Sequence, residues 1–134
     1  MVNLGSAELG IPNLKRAVPI LRMFDVAKAR EFFMDYLGFS VDFEHRFYEG
    51  APLFMGISRG DVTLFLSEHH GDGSPGVHVV VQMDGIDDLL RELATKGYKY
   101  MNPGIQTQEW GARELRVYDP FGNQIAFSES ITAE

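Results

Sequence analysis

Four histidines, one tryptophan and no cysteine bound the chemistry open to this 134-residue chain. His78, in the run VHVVVQM, is the most tempting catalytic or metal-binding residue, because a neutral imidazole both ligates metals and carries protons near neutral pH. A zinc or iron site needs three or more ligands converging from nearby strands. No companions to His78 are evident, so a hydrogen-bonded structural or pocket histidine is the preferred reading. His69 and His70 precede a glycine-rich loop and are expected in solvent, and His45 lies in a strand beside Glu44 and Arg46 without a visible partner. Serine, histidine and aspartate occur without a GxSxG elbow. The loop HHGDGSPG has neither the GxGxxG spacing nor the lysine of a phosphate loop. Zero cysteines exclude disulfides, thiolate metal sites and a thiol nucleophile, and suit a reducing compartment.

Aromatic residues offer a different chemistry, the stacking of a flat ligand. Trp110 stands in EWGARELRVYDPFGNQIAF, and its neighbours Gln108, Glu109, Gly111 and Ala112 do not form a buried alternating pattern. It reads either as a core aromatic or as a ring exposed at a loop-to-strand corner, where it could serve as a platform. Phe47 and Tyr48, in RFYEG, are a second candidate pair. Asp42, Glu44, Glu49 and Glu109 read as surface charges, although any at the mouth of a cleft would attract a cation. The formal net charge of -7 argues against nucleic acid or an anionic membrane as partner and favours a cationic ligand. Composition is that of one globular domain, 45% hydrophobic and 23% charged. No apolar run approaches the roughly 18 residues of a membrane span, and the N-terminus lacks an apolar h-region, so the expected location is the cytoplasm.

The elements that must position these residues follow from periodicity. Residues 1–16 have no clear period and read as an N-terminal extension; the single domain is expected over 17–130. AVPILRM (17–23) is a short strand, and Asp25 is a good N-cap for DVAKAREFFMDYLGF. There Val26, Ala29, Phe32, Phe33, Tyr36 and Leu37 recur at helical spacing, and Gly38 fits the stop. Strands are predicted at 39–47, 53–58 and 61–68, the last two joined by a turn at Arg59-Gly60-Asp61. After the loop 69–76 comes a strand at 77–83. A helix in GIDDLLRELATKG follows, with Asp84 as its cap by analogy with Asp25 and Gly97 as its stop. YKYM (98–101), ARELRVY (112–118) and QIAFSES (124–130) supply the closing strands, the last two around a DPFGN turn.

The two halves, about 17–70 and 76–130, thus spell strand, helix and three strands twice. Val26 and Ile86, Ala29 and Leu89, and Phe33 and Leu93 keep an offset of 60 residues. An internal βαβββ repeat of the α+β class is expected, each half with its helix on one face of a sheet and the other face curving round a cavity. Strand alternation places Leu115, Val117, Ile125 and Phe127 in the core and Arg116, Tyr118, Gln124 and Ala126 on the open face. Val62, Leu64 and Leu66 likewise point inward, with Thr63, Phe65 and Ser67 opposite; His78, Val80 and Gln82 fall together.

AVPIL, DVAKAREFFMDYLGFSVDF, DVTLFLSE, GIDDL and EWGARELRVYDPFGNQIAF, in this order, resemble the glyoxalase and bleomycin-resistance group, the vicinal oxygen chelate superfamily. The likeness spans about residues 17–129, with LGF after the first helix and DPxGN before the last strand as its marks. It is strongest to the antibiotic-binding bleomycin resistance proteins, through Pro19 in AVPIL and the WGxRE-like spacing. The resemblance implies paired βαβββ modules forming a curved mixed sheet with a cleft, helices outside. It further implies a homodimer with clefts between subunits and an N-terminal strand exchanged near Pro19. Such proteins sequester a cationic, flat-ringed drug on aromatic side chains, here Trp110, Tyr48 and Phe47. Metal-dependent members carry His, Glu or Gln where this chain has Val18, Phe65, His78 and Ala126, so one position of four could hold a metal. The resulting expectation is a binder without cofactor or metal, its ligand bleomycin-like, with Phe65, His78, Gln82, Arg116 and Gln124 as further ligand contacts. An enzyme of the same superfamily, metal-free or using His78, is the alternative; a structural or regulatory dimer is the third reading.

Overall fold

The computed structural model describes residues 10–131, and within them the same phrase is built twice. The first half comprises β1 (Ile20–Arg22), α1 (Val26–Arg30), β2 (Ser40–His45), β3 (Phe54–Arg59) and β4 (Val62–Ser67). The second comprises β5 (His78–Gln82), α2 (Ile86–Lys96), β6 (Ile105–Gln108), β7 (Ala112–Tyr118) and β8 (Gln124–Ser130). Each half makes a four-stranded sheet, in the orders β1-β4-β3-β2 and β5-β8-β7-β6. In both, the outer strand before the helix joins the last strand in parallel and the other pairings are antiparallel. This is the α+β repeat that the 60-residue offset predicted.

Local chemistry explains where the helices start and stop. The Asp25 carboxylate accepts the Lys28 N–H at 2.9 Å, satisfying one of the unpaired donors at the start of α1. Past Arg30 the helix widens into π geometry over Glu31–Tyr36, with the Leu37 N–H reaching back to Phe32 O at 2.9 Å. Phe32, Phe33 and Tyr36 are all buried in that stretch. α2 departs from the expected capping. Asp84 does not cap it; Gly85, at φ 88°, is the N-cap, and its N–H and that of Ile86 donate to the Glu129 carboxylate of β8 at 3.3 and 3.0 Å. A carboxylate brought by the sheet thus replaces the local cap, and it lies where the helix dipole favours negative charge.

YKYM is not a strand either. Tyr98 stacks on Tyr36 with ring centroids 4.4 Å apart and meets Phe32 edge-on, so the segment folds against the helices. The strand begins only after Pro103 and Gly104, as β6.

One continuous core joins the halves. Leu21, Met55, Ile57, Leu64 and Leu66 from the first meet Ile86, Leu93, Leu115, Val117 and Ile125 from the second, each essentially without solvent contact. Side chains of this size contribute about 1.5–3 kcal/mol each when fully buried. Polar fasteners cross the same boundary. Arg59 grips Glu92 through both guanidinium nitrogens at 2.8 and 2.9 Å, and the Lys96 ammonium donates to Tyr36 O at 2.8 Å. Arg59 beside Glu92 holds that carboxyl below its ordinary range, against the upward push of burial, and Lys96 adds to the effect.

The DPFGN turn is a third fastener. Asp119 Oδ1 accepts the N–H groups of Phe121 and Asn123 at 2.9 and 2.8 Å, while the fully buried Asn123 amide donates to Asp119 Oδ2 and to Arg22 O and accepts from the Val77 N–H. Burial pushes the Asp119 carboxyl above its usual range, and the bonds from Asn123 pull it back. Of the described residues, no helix is long and apolar enough to cross a membrane.

Candidate functional site

The open face of the second sheet is a wall of paired rows. Across β7, β8 and β5 the register sets Tyr118, Gln124 and His78 side by side, then Arg116, Ala126 and Val80, then Glu114, Ser128 and Gln82. Alternation requires this, since Leu115, Val117, Ile125 and Phe127 between them point into the core. A cleft of about 750 Å³ lies over the wall, within the size range of small-molecule sites, and His78, Gln82, Glu114 and Arg116 line it.

Trp110 stands at its rim. The turn between β6 and β7 closes with the Gly111 N–H on Gln108 O at 3.1 Å, and Gly111, at φ 89°, supplies a backbone conformation that a side chain would strain. The indole is 68% exposed. Of the two sequence readings of Trp110, the exposed corner is the one the structure adopts.

Glu114 is the residue that the sequence reading did not single out. It is 6% exposed on the cleft wall, and one carboxylate oxygen takes bonds from Arg116 Nη2 and Nε at 3.1 and 3.3 Å. Its parity with Arg116 along β7 was the available signal. The carboxylate and the Arg116 guanidinium form an ion pair on the cleft wall, a formally neutral but strongly polar patch. Two rows away, beside His78, the Gln124 amide oxygen is shielded from solvent without a hydrogen-bond partner among the described residues.

The first sheet's open face has the same topology and other chemistry. Phe43, Phe54 and Phe65 form a ring cluster with centroids 5.3–6.1 Å apart. Phe43 lies flat on Gly56, where an added Cβ would come within 2.3 Å of the ring. A bulge between Val41 and Phe43 makes this possible: Val41 pairs with Ile57, whose side faces the core, whereas Phe43 pairs with Gly56 on the open side. Strict alternation would have left both on one face, which is why Phe43 escaped the sequence reading.

The eight candidate contacts therefore fall into two groups. Trp110, His78, Gln82 and Arg116 line the second-half cleft, with Gln124 paired beside His78; Phe65, Phe47 and Tyr48 belong to the first half and do not line it. Phe47 and Tyr48 are 74% and 69% exposed on the β2–β3 connection. Phe47 meets His45 and His69 edge-on, at 4.6 and 5.7 Å. That contact changes the reading of His69, which is half-buried rather than in solvent; its Nε2 is shielded without a partner among the described residues, and its own N–H donates to the Ser67 hydroxyl. Of the four positions compared with metal-binding members, His78 alone carries a ligating side chain. Among the described residues no three His, Asp or Glu side chains converge.

Comparison with known proteins gives a consistent picture. A family model described as "Glyoxalase superfamily protein" matches residues 4–134. Bleomycin resistance proteins of Geobacillus stearothermophilus and Staphylococcus aureus are 25% identical over 87% of this chain and 97% of their own length. A bleomycin-binding protein from bleomycin-producing Streptomyces verticillus, solved with copper(II)-bleomycin, is 30% identical over 87% of this chain and 97% of its own, with a TM-score of 0.65. A glyoxalase-related enzyme from Clostridium phytofermentans is 25% identical over 90% of this chain and 98% of its own, with a TM-score of 0.71.

Proposed function

This chain belongs to the glyoxalase superfamily, and from that premise we propose that it binds and sequesters a flat, cationic small molecule of the bleomycin type without transforming it. The observation that carries the reading is the pairing of an exposed indole with a polar ion pair on one cleft: Trp110 at the rim offers a face for stacking, and Glu114 with Arg116 on the wall offers polar groups to bond a ligand. The net charge of -7 steers a cation toward both. Relatives named for bleomycin resistance and bleomycin binding support the ligand class.

In this reading the site is completed by a second copy, whose first-half ring cluster covers the cleft. The surfaces support it: Phe43, Val80 and Tyr118 are 42, 55 and 51% exposed on the two open faces, a large apolar area for a lone chain to leave in water. The exchange expected near Pro19 would act through β1, which is only three residues long and here lies beside β4 of its own chain, with the Phe65 N–H on Pro19 O at 2.9 Å.

Titration with bleomycin and phleomycin tests the proposal, because Trp110 is the sole tryptophan and its fluorescence reports the platform. Saturable quenching at micromolar drug or below is expected. No change at high micromolar drug, with no heat in calorimetry, would remove this ligand class. A second reading, an enzyme of the superfamily working through His78, is favoured by the match to the glyoxalase-related enzyme. Stoichiometric zinc, nickel, manganese or iron in the purified protein would favour it.

A further inference from the structure

Carboxylates gather at the start of α2, and most of them are taken. Glu129 accepts the Gly85 and Ile86 N–H groups at 3.3 and 3.0 Å, Asp87 holds both terminal nitrogens of Arg113 at 2.8 and 2.9 Å, and Asp88 pairs with Arg91. Asp84 is the exception. Its place in the sequence predicts a helix cap, but Glu129 fills that role, and the Asp84 side chain stands exposed with no hydrogen bond or ion pair among the described residues. Arg91 and Arg113, already engaged, are not available to it.

Asp84 lines the cleft of Trp110. Alternation turns Gln82 toward that cleft and Met83 toward the core, with the Met83 N–H still on Ser128 O at 2.9 Å, so Asp84 returns to the cleft side. Gln82 pairs with Ser128, and Ala112 pairs with Ser130, which puts Asp84 at the end of the cleft where the β6–β7 turn carries the indole. The balance of charge there is simple. Glu114 and Arg116 neutralise each other as an ion pair, so the charge left over among the lining residues is that of Asp84. Glu109, next to Trp110 in sequence, does not line the cleft.

We infer, resting on the reading of this cleft as a ligand site, that Asp84 is the residue by which it selects a cation: the ligand's flat ring lies on the Trp110 indole and its positive group sits beside the Asp84 carboxylate. The ligand class is an aromatic ring that carries its own positive charge. Glu114 does not serve in place of Asp84, because drawing it away from Arg116 would leave a buried charge unpaired. Asp84 meets a cation without breaking any bond. Because it keeps its contact with water, it contributes preference more than raw affinity.

The test is NMR titration, read at the Trp110 indole N–H, with 1-methylquinolinium and 4-methylquinoline, which share the fused rings and the number of heavy atoms; at mildly alkaline pH only the first is charged. Both should give saturable shifts, and the parent chain should bind the cation about three- to fivefold more tightly, with the preference shrinking as salt is added. Asp84→Asn, at an exposed position with no bond to lose, should keep the parent's unfolding midpoint and its affinity for 4-methylquinoline, and should bind the two probes alike. Glu109→Gln should retain the preference. Equal binding of the two probes by the parent would overturn the inference, as would a preference that survives in Asp84→Asn or the absence of a shift with either probe. Bleomycin, titrated into the same variants, separates this inference from the reading beneath it. Equal drug affinity in parent and Asp84→Asn would leave sequestration standing and count against Asp84, whereas selection of the quinolinium through Asp84 with no response to bleomycin would uphold Asp84 and remove the drug.

Discussion

The two halves share one strand order and one helix position, yet their open faces have exchanged bulk. Counting along the matched rows, Ile20, Phe65 and Gly56 of the first sheet stand where Val80, Ala126 and Arg116 stand in the second. In the first, the large ring is on β4 and the bare backbone on β3, so Phe43 can settle on Gly56 and an apolar carpet results. In the second, the small residue is on β8 and the long one on β7, so Ala126 is covered and Arg116 lies beside Glu114 on the cleft wall. Topology is kept by the core-facing residues, which match between halves; the open faces were free to diverge because no core packs on them. One half became a lid in character, the other a basin.

Breaking the fastener between halves should have the largest effect. Asn123→Ala orphans the Val77 N–H, Arg22 O and one side of the Asp119 carboxylate, and should cost about 3 kcal/mol in urea unfolding. The matching turn of the first half has no such role, so Asp61→Ala should change stability by less than about 0.5 kcal/mol. Next is Trp110→Ala, for which calorimetry should show drug affinity falling roughly ten- to a hundredfold, or about 1.4–2.7 kcal/mol, with unfolding unchanged because the ring is exposed. Gly56→Ala forces a methyl into the Phe43 ring and should cost about 1–3 kcal/mol, read in the same unfolding assay. The smallest effect concerns pH. Arg59 depresses the folded-state pKa of Glu92, so the stability this carboxylate adds is present above its unfolded value of 4.5 and is lost as pH falls through the lower folded one. Glu92→Gln should therefore flatten the stability profile below that pH.

Much of this architecture could be read from the residues. Helical spacing found α1 and α2, and alternation sorted the faces of β4, β5, β7 and β8 correctly, because burying one face of a strand leaves no freedom in register. For Trp110 the residues left a core ring and an exposed corner equally open, and the turn at Gly111 is what exposes it. What escaped was decided at a distance. The Glu129 cap of α2 comes from 43 residues away, and YKYM has the makeup of a strand but is claimed by Tyr36. Phe43 was hidden by a bulge, and Glu114 by the habit of assigning charge to the surface. That Phe65, Phe47 and Tyr48 stand apart from Trp110 within one chain was not legible either.

The claim that most depends on comparing the halves is that basin and lid come from different copies, and mixed dimers test it directly. Trp110→Ala and Phe65→Ala should each bind bleomycin weakly alone; refolded together in equal amounts, they should regain tight binding at about a quarter of the parent's site number, because about half of the dimers are mixed and one of the two clefts in each then carries both rings. Failure of the mixture to exceed either variant alone, once mixed dimers are shown to form, would contradict the account.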